Sequence, residues 1–300
     1  MLEAIILAGT PRKKDRLIGG KNKFFAKIGN TCLGNMVVHA SVEADVIESI
    51  YISGNKSELE KLTFNKKVCQ IIQEKGSFYT NALDAFHYLP NSDSLEKKVL
   101  YLACDIPFLN ANAITDFVLN APDADFVYPF CLKEDFEELF PRFIWPYLVS
   151  KEGQVKFGNI ALVKPNKIKK KKLISRLFRL RKVAVSDHRV EEFANIPRVV
   201  IQAFKLCGVE GLEIVTRAVY LKYVATPLGL SSKVSEYLSV DRVAEAYSKI
   251  LECDVRAKRT RFPEICFDID NEKRELRYVV QNYNEIMETI STRNVSSLSH

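Results

Sequence analysis

Three carboxylates and a run of cations carry the chemistry this sequence could do. Asp105 closes the apolar run Val99-Leu100-Tyr101-Leu102-Ala103-Cys104-Asp105-Ile106-Pro107, and Asp268 and Asp270 alternate along Phe267-Asp268-Ile269-Asp270-Asn271. Near the N-terminus, Ala4 to Ala8 runs straight into Gly9-Thr10-Pro11-Arg12, with Arg16, Gly19, Gly20 and Lys23 following. Strand-end carboxylates are hard oxygen donors, the kind Mg²⁺ takes together with phosphate oxygens and water. A glycine turn after a buried strand leaves N–H groups exposed, and Arg12, Arg16 and Lys23 would add cations for a polyphosphate. Asp105 is the first metal-ligand candidate and Asp270 the second. Asp268 has the same facing by period-2 alternation and is the reserve. The plainer readings stand beside these: strand-end carboxylates that cap helices, and a loop of solvated charges.

Positioning these groups requires a sheet. The first half alternates short apolar strands with helix-period segments, the pattern of a parallel sheet covered on both faces. Strands are expected at 3–8, 48–53, 68–72, 99–104 and 125–130, and helices near 32–44, 57–62, 77–89 and 111–120. In an open α/β sheet, ligands bind outside the carboxyl ends of the strands, so all three motifs would face one crevice. Asn110 stands where it would cap the fourth helix, and Ser77 where it would cap the third. Residues 131–150 read as an irregular excursion, 155–163 as a strand with a bulge at Gly158-Asn159, and 173–255 as mostly helical. Helical stripes run through Leu212, Val215 and Val219, and through Leu238, Val243, Tyr247 and Leu251. Residues 262–270 would return to the sheet, 272–290 would form a closing helix, and the tail from Ser291 would fray.

On these residues the chain resembles the MobA-like nucleotidyltransferases, whose fold is a Rossmann-like GT-A-type three-layer sandwich. Leu7-Ala8-Gly9-Thr10, Arg16, Gly19, Lys23 and Ile28-Gly29 match the family's N-terminal signature; Leu102 to Pro107 matches its metal-site strand, and Asp268 to Asn271 its late acidic pair. Thr10 replaces the second glycine of the signature, Pro11 after it has no N–H to give, and the interval from Arg16 to Lys23 is one residue longer. The resemblance implies Mg²⁺-dependent transfer of a nucleotidyl group from a nucleoside triphosphate to a small phosphorylated or hydroxyl acceptor. Under it Lys23, Arg16 and Asp105 are catalytic, and Leu7, Ala8, Gly9, Thr10, Arg12, Lys23, Gly76 and Asn81 bind the nucleotide. Asp105, Asp268 and Asp270 hold the metal, and Gly158 and Asn159 meet the acceptor. Gly76 to Asn81 also reads as simple helix capping, and Gly158-Asn159 as a purely structural bulge. The implied organisation is a core of residues 1–165 plus 262–290, a helical insertion or lid at 166–261, and a tail at 291–300. Two other classes stay open: a nucleotide-binding or assembly protein with a degenerate phosphate loop, and a glycosyltransferase of the same architecture. The latter usually places D-x-D after the mid-chain strand, where this chain has Asp105-Ile106-Pro107.

Composition narrows the field. Three hundred residues at 47% hydrophobic and 27% charged describe a globular chain, and no apolar run approaches the ~20 residues that span a bilayer. With no basic, apolar leader at the start, the expected compartment is the cytoplasm. The seven cysteines are scattered and never spaced as C-x-x-C, so they read as reduced core residues. Alternation turns Cys104 away from Asp105 and into the core. The four histidines lie far apart; His39 and His87 fit packing on helix faces, and no nucleophilic triad is supported. The net charge of +7 is local: residues 167–182 hold nine of the 44 basic residues and no acid, leaving 35 against 37 elsewhere. No nucleic-acid module accompanies them. As a helix this segment would be a solvated lid, would reach an anionic acceptor beside the site, or, less favoured, would touch an anionic membrane surface.

Overall fold

The structure is a computed structural model that describes residues 1–10, 17–145, 147–174, 189–221, 225, 228, 236 and 238–297. Eleven strands are formed among the described residues: β1 Leu2–Ala8, β2 Lys27–Ile28, β3 Thr31–Cys32, β4 Ile47–Gly54, β5 Val68–Gln73, β6 Val99–Ala103, β7 Phe126–Leu132, β8 Leu148–Ser150, β9 Gly153–Phe157, β10 Ile160–Val163 and β11 Val255–Arg259. The α-helices are α1 Leu33–Glu43, α2 Lys56–Leu59, α3 Phe78–His87, α4 Ala111–Leu119, α5 Lys133–Leu139, α6 Arg189–Tyr220, α7 Val240–Leu251 and α8 Arg277–Ser297. Helix α6 is broken at Gly208, whose φ of 65° lies in the left-handed region.

The main sheet runs β5-β4-β1-β6-β10-β7-β9-β8, with β11 joined to β7. Strands β5, β4, β1 and β6 are parallel; the apolar runs of β4, β1 and β6 follow from burial on both faces, and β5 is the more exposed edge strand. Even residues of β1 (Ala4, Ile6, Ala8) pack under α1 and α4 with Phe24 and Phe117. Odd residues (Ile5, Leu7) pack under α3 with Phe86 and Leu89. Helices α6 and α7 extend that second layer over Tyr128, Val163 and Val255. The result is the three-layer, mostly parallel, Rossmann-like sandwich that the sequence pattern implies. Asn110 caps α4 by accepting from the Ala113 N–H at 2.9 Å, and Ser77 caps α3 by accepting from Thr80 N–H at 3.1 Å. Residues Gly158 and Asn159 interrupt β9 and β10, both antiparallel to β7, and the register slips by two across them; the bulge is there.

Several expectations are corrected. Residues 131–150 are not irregular throughout. Helix α5 forms because Phe136, Leu139 and Phe140 share a face into an aromatic core while Glu134 and Asp135 sit on its first turn. Strand β8 follows at 148–150. Residues 262–270 do not return as a strand. Pro263 lacks an N–H and opens a tight turn to Cys266, after which 267–270 is extended but unpaired in the sheet. The last strand is β11, parallel to β7 and inside the segment read as insertion. The helical stripes face inward: Leu238, Val243 and Leu251 are buried, and Val215 is buried in one cluster with Leu251. Helix α8 continues to Ser297 without fraying at Ser291, and Arg293 pairs with Glu138 at 2.5 Å. His39 is exposed and pairs with Glu43 at 3.2 Å, and His87 is exposed, so neither packs inward.

The basic segment also moves. Strand β10 runs antiparallel to β6, with Ile160 opposite Leu102 and Val163 opposite Val99. Residues 164–174 therefore emerge at the amino edge of β6, about 20 Å from Asp105 at ~3.3 Å per residue. They are not beside the acidic motif. Lys164 and Lys167 pair with Glu96, Lys164 with Asp123, and Lys170 with Glu252, which offsets much of the local charge. Residues 175–182 lie outside the described residues. Replacing Lys169 to Lys172 by glutamine is accordingly expected to leave NTP and acceptor KM within about twofold of wild type at low and high salt, since exposed pairs this far off are screened. A salt-dependent rise in acceptor KM would show that the segment reaches the substrate.

Candidate functional site

Strands β1 and β6 end side by side, and the glycine turn, Lys23, the three carboxylates, Gly76, Asn81 and the Gly158-Asn159 bulge converge there, whereas the basic segment does not. Arg12 and Arg16 belong to residues 11–16, outside the described residues. Asp105 stands just past β6, buried, with its backbone oxygen accepting from Ile269 N–H at 3.0 Å. That bond zips the 267–270 segment onto the end of β6. It sets Asp268 and Asp270, the two neighbours of buried Ile269, against Asp105. Carboxylate oxygens of Asp105, Asp268 and Asp270 all lie within 4.8 Å of one another.

Lys23 occupies the middle of this cluster. Its Nζ donates to Asp105 Oδ2 and to Asp270 Oδ1, each at 2.6 Å, and its side chain is 11% exposed. Burial alone would lower the pKa of this ammonium, but the charges of Asp105 and Asp270 outweigh it and hold the group protonated well above its usual range. Burial pushes the Asp105 carboxyl upward; Lys23 opposes the rise, and Asp268 and Asp270 add to it. Lys23 is presented by a short 3₁₀ turn, Lys23–Phe25, capped by Asn22 accepting from Phe24 N–H at 2.9 Å. Asn22 Nδ2 also donates to Ala8 O at 2.8 Å and Thr10 Oγ1 at 3.1 Å, fastening the turn to the end of β1. Asn22 carries no motif of its own in the sequence. Its signal was its place as a cap-type residue directly before Lys23.

A second constellation borders β1 on the β4–β5 side. Glu74, just after β5, accepts from Thr10 N–H and from Thr10 Oγ1, both at 2.6 Å. Asn81, buried on α3, accepts through Oδ1 from the N–H groups of Lys75 at 2.8 Å and Gly76 at 3.1 Å. Gly76 has φ 130°, a backbone conformation that favours glycine, and at Gly9 a Cβ would fall 2.7 Å from Asn81 Nδ2, so the absent side chain leaves room for that amide. Leu7 and Ala8 are buried in the strand that leads in. Glu74 also carries no motif of its own; only its position after a strand could have flagged it. At Gly158 a Cβ would meet Pro129 Cγ at 2.6 Å and Ile265 Cγ2 at 3.0 Å, so protein fills that space. Asn159 N–H donates to Ile265 O and its carbonyl accepts from Ala103 N–H, both at 3.1 Å, joining the bulge to the segment before the acidic pair. Cys104 is buried in the core and burial pushes its thiol up, which suits packing and not attack.

Glu264 ties the two acidic segments from behind. Its Oε1 accepts from Asn110 Nδ2 at 2.7 Å, and burial, opposed by its hydrogen bonds and Arg293, pushes its pKa up to about 7 from an ordinary 4.5. The unfolded chain therefore releases this proton at lower pH than the folded one, so stability falls as pH rises from about 4.5 to 7. At about 1.36 kcal/mol per pH unit the full effect is ~3 kcal/mol. Glu264→Gln keeps the acceptor for Asn110 and loses the ionisation. It is expected to melt near wild type at pH 4.5 and up to ~3 kcal/mol more stably at pH 8 by denaturant titration. A constant difference across that range would place the titration elsewhere.

A Rossmann-like sheet with a carboxylate–lysine cluster at its carboxyl edge and a glycine turn beside it defines a nucleotide-using α/β enzyme. Residues 4–180 match the model of the MobA-like NTP transferase domain, more than half of the chain, and the chain belongs to that family. Its structure is similar to a hypothetical transferase from Thermus thermophilus, 23% identical over 91% of this chain and 98% of that one, with a TM-score of 0.59. That likeness is one of fold. Lower similarity is found to the 4-diphosphocytidyl-2C-methyl-D-erythritol synthase of Anaerococcus prevotii (11% identity, 92% of this chain and 93% of that one, TM-score 0.45). A CMP:2-keto-3-deoxy-manno-octonic acid synthetase complexed with CTP gives 8% identity over 95% and 98% of the two chains, with a TM-score of 0.46. No curated protein matches the sequence. Among the described residues, no helix is long and apolar enough to cross a membrane.

Proposed function

We propose that this NTP transferase moves a nucleotidyl group from a nucleoside triphosphate to a small anionic or hydroxyl acceptor, releasing pyrophosphate, with one hard dication held by Asp105, Asp268 and Asp270. The observation that carries the reading is the meeting of three carboxylates and Lys23 at the ends of β1 and β6, beside the Gly9-Thr10 turn. The donor set is all oxygen, which fits Mg²⁺ and disfavours softer metals. When bound, Mg²⁺ would neutralise phosphate oxygens and orient the α-phosphate for in-line attack.

The chain's own residues then divide the work. Asp105 and Asp270, which Lys23 bridges, would be ligands of the dication together with Asp268, and the Lys23 ammonium would neutralise phosphate oxygens, where charge builds on the leaving pyrophosphate. Gly9 lets the end of β1 approach the triphosphate, and Arg12 and Arg16 follow it in sequence. Glu74, Gly76 and Asn81 form the wall on which the nucleoside would rest. Residues 1–165 with 262–290 supply the core of this assignment and 166–261 the insertion, with β11 contributed to the core sheet.

One observation favours a second reading. Glu74 already takes both the N–H and the hydroxyl of Thr10, the residue that replaces a signature glycine, so that amide is not offered to a phosphate. A nucleotide-binding protein without transfer would look like this. Pyrophosphate release from each of the four NTPs with Mg²⁺ and a panel of phosphorylated and hydroxyl acceptors separates the two. Release with at least one pair supports transfer, whereas thermal stabilisation by an NTP with no release under any pairing supports binding alone. At 100 times its Kd a ligand adds ~2.7 kcal/mol.

A further inference from the structure

The acidic cluster has a second lysine, one that no motif singles out. Lys156 lies on β9 opposite Cys131 of β7, and its side chain is 4% exposed. Its Nζ donates to the carbonyl of Cys266 and stands 3.5 Å from Asp268 Oδ1. It also lies 3.7 Å from the ring centroid of Trp145 and 5.1 Å from that of Phe136. Arg274 takes another side of Trp145 at 5.2 Å and approaches Phe143 at 5.5 Å. A buried ammonium is costly unless hydrogen-bonded and paired, and here a carbonyl, a carboxylate and an aromatic face supply those partners.

The two lysines of the cluster are held in different ways. The bonds of Lys23 go to Asp105 and Asp270, both of which the proposed dication would claim. The carbonyl and ring contacts of Lys156 belong to no carboxylate, so they persist whatever binds the acids. We propose that Lys156 is the fixed internal cation of the cluster, a positioning residue that anchors Asp268 and sets the charge the site offers to an incoming metal, while Lys23 is the displaceable cation. This rests on the metal-dependent reading of the same site. With Lys156 in place, three carboxylates present a net charge of −2, which one dication balances. Without it they present −3.

That difference gives a readout independent of catalysis. Removing a fixed positive charge a few ångströms from the metal strengthens the attraction for the dication twice as much as for the competing Lys23, because the dication carries twice the charge. Lys156→Gln, which retains a donor for the Cys266 carbonyl, is expected to bind Mn²⁺ about tenfold tighter by calorimetry. Its kcat at saturating metal should fall about tenfold because Asp268 is no longer anchored. Lys156→Met should shift Mn²⁺ affinity the same way, and Lys156→Arg, which keeps the charge, should stay within about twofold of wild type in Mn²⁺ affinity. Unchanged Mn²⁺ affinity in folded Lys156→Gln or Lys156→Met protein, with only a lower melting temperature, would overturn the proposal and leave Lys156 a packing residue. Absence of Mn²⁺ binding by the wild type would overturn the metal reading and this proposal together, a result distinct from the first.

Discussion

Asp105→Asn is expected to lower pyrophosphate release by about three orders of magnitude while leaving the melting temperature unchanged or slightly raised. Loss of one preorganised charged group at a phosphoryl-transfer centre is worth roughly 10²–10³ in rate, and Asp105 would serve both as metal ligand and as partner of Lys23. The stability expectation has its own cause. Asp105 is buried beside two other carboxylates, and burial together with their repulsion already raises its pKa. An amide there relieves like-charge repulsion and leaves Lys23 paired with Asp270. Steady-state pyrophosphate assays and differential scanning calorimetry on one preparation read both quantities. Wild-type turnover would remove Asp105 from the metal site, and a large loss of stability with modest loss of rate would make it a structural strand-end group.

Lys23→Ala should change both stability and catalysis, and metal should rescue only one of them. The substitution leaves Asp105 and Asp270 without the ammonium that now bridges them at 2.6 Å. Breaking a buried pair by removing one partner costs about 3–5 kcal/mol; since the Asp270 side chain is 46% exposed, ~2–3 kcal/mol is the expected loss in the absence of divalent cation. Millimolar Mg²⁺ should restore most of that stability, because a dication supplies the missing positive charge. It should not restore turnover: kcat/KM is expected to stay about 10²-fold down, since the cation that meets the leaving pyrophosphate is gone. Denaturant titrations with EDTA and with Mg²⁺, run beside NTP kinetics, give the comparison. Equal stability of variant and wild type in EDTA would show that Lys23 is not the cluster's counter-ion.

Local residue types were enough to determine the framework of this protein. The apolar strands at 2–8, 47–54 and 99–103 carry their β-character and their burial in their own composition, while 68–73 is a half-exposed edge strand. Ser77 and Asn110 announce their helices by cap chemistry that acts over three residues. Asp105 was legible because a carboxylate at the end of a buried strand has few other places to be. Asp268 and Asp270 were legible by their alternation, although the strand expected to carry them does not form: an extended segment presents the same facing without pairing in the sheet.

Tertiary structure decided what depended on chain crossings. Lys156 reads as one more strand residue until the fold brings it to Trp145 and to Cys266 and Asp268, which lie 110 and 112 residues away in the sequence. Glu74 meets Thr10 across 64 residues because β5 and β1 end on the same edge of the sheet. The basic segment fails as a neighbour of the acids because β10 reverses direction beside β6, which sends Lys164 to the opposite edge. In each case the residue type was plain in the sequence. The sheet's order and strand directions, fixed by long-range pairing and core packing, chose which of these charges would share a site.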